Sequence, residues 1–229
     1  MKKKGIILLS GGIDSATTAS IAINQGFELS AMTFFYSQKH EIEIKYSEKL
    51  AEFFKIKNHI KVTLPAEIFN SALISESKID VPKNRYIKKD IIPETYVPAR
   101  NIIFLSYALA YCESIGAEDI FIGATEVDYS GYPDCRSEFF RAFENMADIG
   151  TKSGAEGGGF TIHTPVIHLY KHEIITLGTE LGVDYALTHS CYDPGAEGYA
   201  CGECDSCLIR MKGFADAGIP DPTVYKEKI

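Results

Sequence analysis

Ser10-Gly11-Gly12-Ile13-Asp14-Ser15 gathers two glycines, two hydroxyls and a carboxylate in one short stretch. Glycine lets a backbone come close to a ligand, hydroxyls donate hydrogen bonds, and a carboxylate can orient a cation. Ile6-Ile7-Leu8-Leu9, just before, reads as a buried strand of a parallel sheet. A helical stretch follows from Ala16 to Gln25 and closes at Gly26. Strand, glycine turn and helix start together make an anion site, because the first N–H groups of a helix have no partner within it. This turn fits neither the common nucleotide loop, G-x-x-x-x-G-K-[ST], nor the dinucleotide fingerprint, G-x-G-x-x-G. An ordinary strand–turn–helix with an aspartate near its cap is the plainer alternative.

A second cluster is formed by Cys191, Cys201, Cys204 and Cys207, spaced C-x9-C-x2-C-x2-C, with Gly202 free to tighten the turn. Four thiolates suit Zn2+ in a closed tetrahedral site, one ion per chain, structural because no coordination position stays open. An iron–sulfur cluster is the rival, but ferredoxin runs continue x3-C-P, whereas Leu208-Ile209-Arg210-Met211 follows Cys207. Of the six cysteines this leaves Cys135, outside the set, and Cys112, read as a core residue of a helix. His163, His168 and His172 are near one another but match no standard zinc spacing.

Two further stretches carry binding chemistry. Ala124 to Arg136 is dense in polar, aromatic and turn residues and follows a strand. Such a loop can sandwich a planar ring and read its edge with carboxylates, or be a turn-rich connection only. Pro65 to Pro98 is irregular and holds Lys83, Arg85, Lys88 and Lys89, either a basic lid over phosphates or a solvated loop.

The elements that must position these groups alternate strand and helix. Glu28 to Tyr36 is a second strand, Glu41 to Lys55 a helix with Ile44, Leu50, Ala51 and Phe54 on one face, and Asn58 to Leu64 a third strand. A short helix around Ala66 to Leu73 is possible. A strong helix begins at Pro98-Ala99-Arg100-Asn101 and reaches Gly116; Asp119 to Gly123 is the fourth strand. Ser137 to Ile149 is helical, Ser153 to Gly159 is glycine-rich and expected to be mobile, and Thr161 to His168 is strand-like but broken by Pro165. Lys171 to Leu181 is a helix closed by Gly182. This order predicts an α/β fold with a parallel sheet covered on both faces and ligands beyond the strand C-termini.

The chain has 229 residues, enough for one sizeable core with a small appendage. A net charge of −8 speaks against broad, nonspecific nucleic-acid binding and leaves room for a local basic pocket. Met1-Lys2-Lys3-Lys4 looks like the start of a signal segment, but the apolar run after it is too short, and no run approaches a membrane span. The reading is a soluble, cytoplasmic protein with cysteines clustered for a metal.

Ser-Gly-Gly-x-Asp-Ser resembles the pyrophosphatase loop of ATP-using enzymes that cleave between the α and β phosphates and release AMP. Taken with the cysteine cluster, the chain closely resembles the QueC-type 7-cyano-7-deazaguanine synthases of the PP-loop superfamily. LLSGGIDS at 8–15, YVPARN at 96–101, VDYSGYPDCR at 127–136, TPVIHLYKHEIITLG at 164–178, THSCYDP and CGECDSCLIR carry the likeness nearly end to end. It departs at two turns. Ser37-Gln38-Lys39-His40 stands where a Gly-Gln-Arg-His-like turn is usual, and Ala99 where a glycine often precedes Arg-Asn.

The resemblance implies a Rossmann-like sheet of the adenine nucleotide α-hydrolase-like (HUP) kind over 1–186 and a C-terminal zinc-binding segment over 187–229. It implies a ligase that joins 7-carboxy-7-deazaguanine and ammonia at the expense of ATP, in queuosine biosynthesis, with Mg2+ accompanying ATP. Leu8, Leu9, Ser10, Gly11, Gly12, Ile13, Asp14, Ser15, Ala16, Thr17 and Thr18 would then hold the nucleotide. Asp14, Lys39 and Arg100 would carry the chemistry, Asp14 orienting Mg2+ and the two cations neutralising phosphate. Tyr129, Asp134 and Arg136 would contact the deazapurine or its carboxylate. No glutaminase segment is visible, so free ammonium or a partner supplies nitrogen. A homodimer is expected from the family, and neither membrane nor stable nucleic-acid binding is. The alternatives are another AMP-forming PP-loop enzyme, a tRNA thiolase or an ammonia-dependent amidotransferase, and a non-catalytic zinc-knuckle binding module.

Overall fold

The computed structural model describes residues 2–38, 42–75, 77–85, 92–127, 131–195 and 197–226. Five parallel strands form one sheet: β1 (Lys4–Leu8), β2 (Glu28–Phe35), β3 (Asn58–Thr63), β4 (Asp119–Ile122) and β5 (Thr161–His163), in the order β3-β2-β1-β4-β5. Among the described residues, seven α-helices accompany them: α1 (Ile13–Asn24), α2 (Ile42–Phe53), α3 (Arg100–Ser114), α4 (Ser137–Gly150), α5 (Lys152–Ala155), α6 (Lys171–Glu180) and α7 (Asp205–Ala217). Strand order reverses direction on either side of β1, which opens a crevice beyond its C-terminus.

Successive residues of β1 divide between the two faces. Ile6 and Leu8 join Met32, Leu105, Ile120 and Phe140 in one core; Ile7 and Leu9 join Ala31, Ala16, Phe121 and Ile174 in the other. Burial on both faces is why this strand reads as an unbroken apolar run. The segment after residue 187 shares both cores, Cys191, Cys204 and Cys207 in the first and Phe214 in the second. Among the described residues, no helix is long and apolar enough to cross a membrane.

α1 is buried on nearly every side, so its sequence is small rather than amphipathic: Ala16, Thr17, Ala19, Ser20 and Ala22. It crosses α6 at Gly178, where an added methyl would run into the Tyr185 hydroxyl and Thr17 Oγ1. The Thr17 and Tyr185 hydroxyls hydrogen-bond there at 2.7 Å.

Three stretches differ from the sequence expectation. β5 stops at His163, because Pro165 offers no N–H to the ladder and Thr164 to Ile167 turns instead. The glycine-rich 153–159 segment begins as α5: Thr151 Oγ1 accepts the Gly154 N–H at 3.1 Å, and Asp148 Oδ1 accepts the Phe160 N–H at 3.0 Å. Gly154 lies against the Asp148 carbonyl where no side chain fits, so close packing explains that glycine. The helix considered at 66–73 shrinks to one 3-10 turn, Ala66–Ile68.

Candidate active site

The turn after β1 is shaped by its own backbone and by α2. Gly11 has φ +91°, and a Cβ there would meet the Glu43 carbonyl at 2.6 Å, so the fold itself demands glycine. Gly12 is different. Its φ is −90°, and a Cβ would make only ordinary contacts with the protein, so its open face is left to whatever lies in the cavity. As N-cap, Gly12 offers no side chain to the first N–H groups of α1. Ser15 Oγ donates to the Gly12 carbonyl at 3.0 Å and lies 3.1 Å from Ser10 Oγ, which locks the loop.

A cavity of about 280 Å³ opens on this turn. Leu8, Leu9, Ser10, Gly12, Ile13, Asp14 and Ser15 line it, and so does Arg100. The other four residues expected to hold nucleotide do not: Gly11 packs on α2, Thr17 bonds Tyr185, and Ala16 and Thr18 are buried in the helix interior. Lys39 and Tyr129 lie outside the described residues. Asp134 is buried behind the cavity wall, where Oδ2 accepts the Asn101 N–H at 3.1 Å. Asn101 Nδ2 in turn donates to the Asp134 carbonyl at 2.8 Å, so this pair fixes the start of α3 and with it Arg100. Arg136 is outside the wall, half exposed, with Glu138 3.7 Å away.

Burial opposes the charge of Arg100, and Tyr36, Cys135, Tyr132 and Asp134 around it outweigh that, so it stays a guanidinium. Tyr36, which hydrogen-bonds Arg100, is itself raised by burial, as is Tyr132. Burial also pushes the Cys135 thiol up to about 12 and the Cys112 thiol to the same level. Neither is a thiolate near neutral pH.

Lys171 is a cavity residue that the sequence reading did not single out. It is the first residue of α6, and its Nζ lies 2.5 Å from Asp14 Oδ1. A cation at the positive end of a helix is unfavourable by itself, and that misplacement is the signal that could have found it. Tyr192, Asp205, Ser206, Ile209 and Arg210 also face the cavity. Arg210, fully buried, bonds Asp221, Thr188 and Ser190 and the carbonyl of Tyr185, holding the 185–190 turn whose His189 N–H reaches the Gly11 carbonyl at 2.9 Å.

Cys191, Cys201, Cys204 and Cys207 converge, with all four sulfurs within 4.8 Å of one another. Backbone N–H groups of Cys201, Cys204, Glu203, Asp193 and Tyr192 point at these sulfurs at 3.2–3.4 Å. Sulfurs so crowded cannot all ionise without a cation. Hydrogen bonding among the four sulfurs favours the thiolate at Cys201 and Cys204 and the thiol at Cys191 and Cys207. A divalent ion that takes all four as thiolates fits this donor set. His163, by contrast, pairs with Asp119, His168 with Glu126, and His172 stacks on Tyr170.

The basic stretch before α3 reaches the cysteine segment rather than the phosphate end. Lys83 forms an isolated β-bridge with Cys204 and an ion pair with Asp193 at 2.7 Å; the Asn84 N–H reaches the Glu203 carbonyl at 2.9 Å. Arg85 grips Asp205 and Glu94. Lys88 and Lys89 lie outside the described residues.

Comparison with known proteins agrees with this architecture. The model of the family described as queuosine biosynthesis protein QueC matches residues 4–218. A protein of Syntrophobacter fumaroxidans named 7-cyano-7-deazaguanine synthase is 52% identical over 98% of this chain and 97% of its own length. One of the same name from Geotalea uraniireducens is 55% identical over 98% of each. The solved NMN synthetase of Francisella tularensis shares the fold, with a TM-score of 0.50 at 17% identity over 96% of this chain and 79% of that one. With a parallel sheet, a glycine anion turn and a four-cysteine segment in one chain, and a family model spanning nearly all of it, the protein belongs to the QueC family.

Proposed function

We propose that this protein is an ATP-dependent 7-cyano-7-deazaguanine synthase, converting 7-carboxy-7-deazaguanine and ammonia to the nitrile on the route to queuosine. One observation carries the reading beyond family membership. The uncapped start of α1 and the guanidinium of Arg100 open into the same cavity, so a polyphosphate and a second anion can be held side by side.

The chemistry follows from what a carboxylate lacks. It is a poor electrophile, and oxide is not a leaving group. Attack of its oxygen on the α phosphate of ATP forms an acyl-adenylate and frees diphosphate. Ammonia displaces AMP to give the amide. The amide oxygen then attacks the α phosphate of a second ATP, expelling a second diphosphate and losing an N–H proton, and the adenylated imidate releases AMP and its remaining N–H proton to leave the nitrile. The first N–H groups of α1 and Lys171 receive the charge of the departing diphosphate, and Arg100 steadies the carboxylate. Positioning and charge neutralisation do the catalytic work. Mg2+ would accompany ATP, and Asp14 would be the residue to hold it. The cysteine set would hold Zn2+ in a closed, structural site that supplies no chemistry of its own.

Free ammonium or a partner enzyme provides nitrogen, and the enzyme works in the cytoplasm as a homodimer. Exposed apolar side chains on α3, Ile102 and Tyr107, would suit a second copy. A tRNA thiolase is disfavoured, because such an enzyme needs a reactive cysteine and both cysteines outside the metal set are buried neutral thiols.

The test is a mass-resolved assay with 7-carboxy-7-deazaguanine, ammonium, ATP and Mg2+. Nitrile is expected, with one AMP for each adenylation. AMP with amide alone would remove the second adenylation from this enzyme, and no AMP from folded, zinc-loaded protein would overturn the substrate.

A further inference from the structure

Among the described residues, three carboxylates line the cavity: Asp14, Glu43 and Asp205. Asp14 is engaged by Lys171 at the phosphate end. Glu43 sits on the first turn of α2, with its carbonyl against Gly11 of the turn after β1. Asp205 belongs to another wall, the face of α7 that also carries Ser206 and Ile209. Its side chain is only 5% exposed.

Arg85 fixes it. Nε donates to both carboxylate oxygens, at 3.3 and 3.2 Å, and Nη2 to Oδ2 at 2.7 Å. The remaining arm, Nη1, donates to Glu94 at 2.7 Å. A guanidinium fork fixes the plane of a carboxylate and leaves lone pairs on both oxygens for a second set of donors. It also cancels the charge. A bare carboxylate in a cavity built for a triphosphate and a carboxylate substrate would repel both; a neutralised one does not.

We infer that Asp205, oriented by Arg85, is the substrate-binding carboxylate that reads the paired ring N–H and exocyclic 2-amino donors of an aminopyrimidinone ring, and that Arg85 is its positioning residue. This rests on the proposed deazapurine substrate. Two adjacent donors on one edge of that ring match two oxygens of one carboxylate. Arg100, on α3, is then left for the carboxylate at the reacting end.

Equilibrium binding and steady-state kinetics with the deazapurine and with its analogue lacking the 2-amino group test the assignment. Wild type should bind the analogue roughly 10- to 100-fold more weakly, the cost of a buried acceptor left unmet. Asp205→Asn should raise KM for the natural ring by a similar factor, leave KM for ATP within about threefold, and erase the discrimination between the two rings. Arg85→Gln should reduce that discrimination while zinc content stays at one per chain. Equal binding of both rings by wild type overturns the assignment alone, whether or not the variants fold. So does Asp205→Asn with its discrimination intact. Failure of wild type to bind either ring overturns the substrate reading and this inference together.

Discussion

Lys171 Nζ lies 2.5 Å from Asp14 Oδ1, joining the first turn of α6 to the first turn of α1 across the mouth of the glycine loop. Both residues sit at helix N-termini. Asp14 suits that place electrostatically and Lys171 does not, so the aspartate keeps the lysine pointed at the loop. A polyphosphate bound there, as proposed, would meet an ammonium already in position.

Lys171→Met should therefore lower kcat by about 100-fold or more, since it removes charge stabilisation that is greatest when diphosphate departs. Its melting temperature should stay near wild type, because the change also removes an unfavourable cation from the N-terminus of α6 and leaves Asp14 at a favourable one, partly open to the cavity. A kcat within a few-fold of wild type would assign the pair to structure.

The two turns that depart from the family pattern share a backbone conformation. Ala99 has φ 55° and Ser37 φ 52°, both left-handed. A side chain there costs about 1–2 kcal/mol, partly offset by the unfolded-state entropy that glycine adds. Ala99→Gly and Ser37→Gly should each raise stability by a few tenths to about 1 kcal/mol, read by denaturant midpoint. A lower midpoint for both would mean that native contacts of these side chains outweigh the strain.

Stripping the proposed metal from the cysteine set should loosen two segments at once. Chelation is expected to increase hydrogen exchange across 191–207 and, with it, across 83–85, because Lys83 bridges Cys204 and Arg85 holds Asp205. The β1–α1 turn should keep its protection. Exchange confined to 191–207 would show that the 83–85 strap stands on other contacts.

Alkaline pH should destabilise the protein through its two buried thiols. Cys112 and Cys135 are pushed up to about 12 by burial, so between the usual thiol range and pH 12 the unfolded chain has lost protons that the folded chain keeps. Their contribution is whole below the unfolded value and disappears as pH rises through the folded one, at up to about 1.4 kcal/mol per pH unit for each thiol. Melting temperature against pH, for wild type and for Cys112→Ala with Cys135→Ala, measures it. Parallel curves would count against the thiols.

How much of this was legible in the sequence depended on chain distance. Ile6 to Ser15 announces strand, turn and helix because every cue is local, and the cysteine spacing announces convergence for the same reason. Arg85 and Asp205 are 120 positions apart, and no pattern in either neighbourhood names the other. Asp134 reads as a ring contact from its loop; only the fold shows it behind the wall, bonded to Asn101. The glycines in 153–159 suggested motion, whereas Gly154 answers to the Asp148 carbonyl.

The bridge between Lys83 and Cys204 also sets a schedule for biosynthesis. A ribosome adding about 5–20 residues per second delivers Arg85 roughly ten seconds before Asp205. By then the residues of the glycine turn and of all five strands have been made, but not the wall contributed by α7. A nascent chain that had folded that far would present the glycine turn without the wall that receives the proposed co-substrate, and α7 would close that interval.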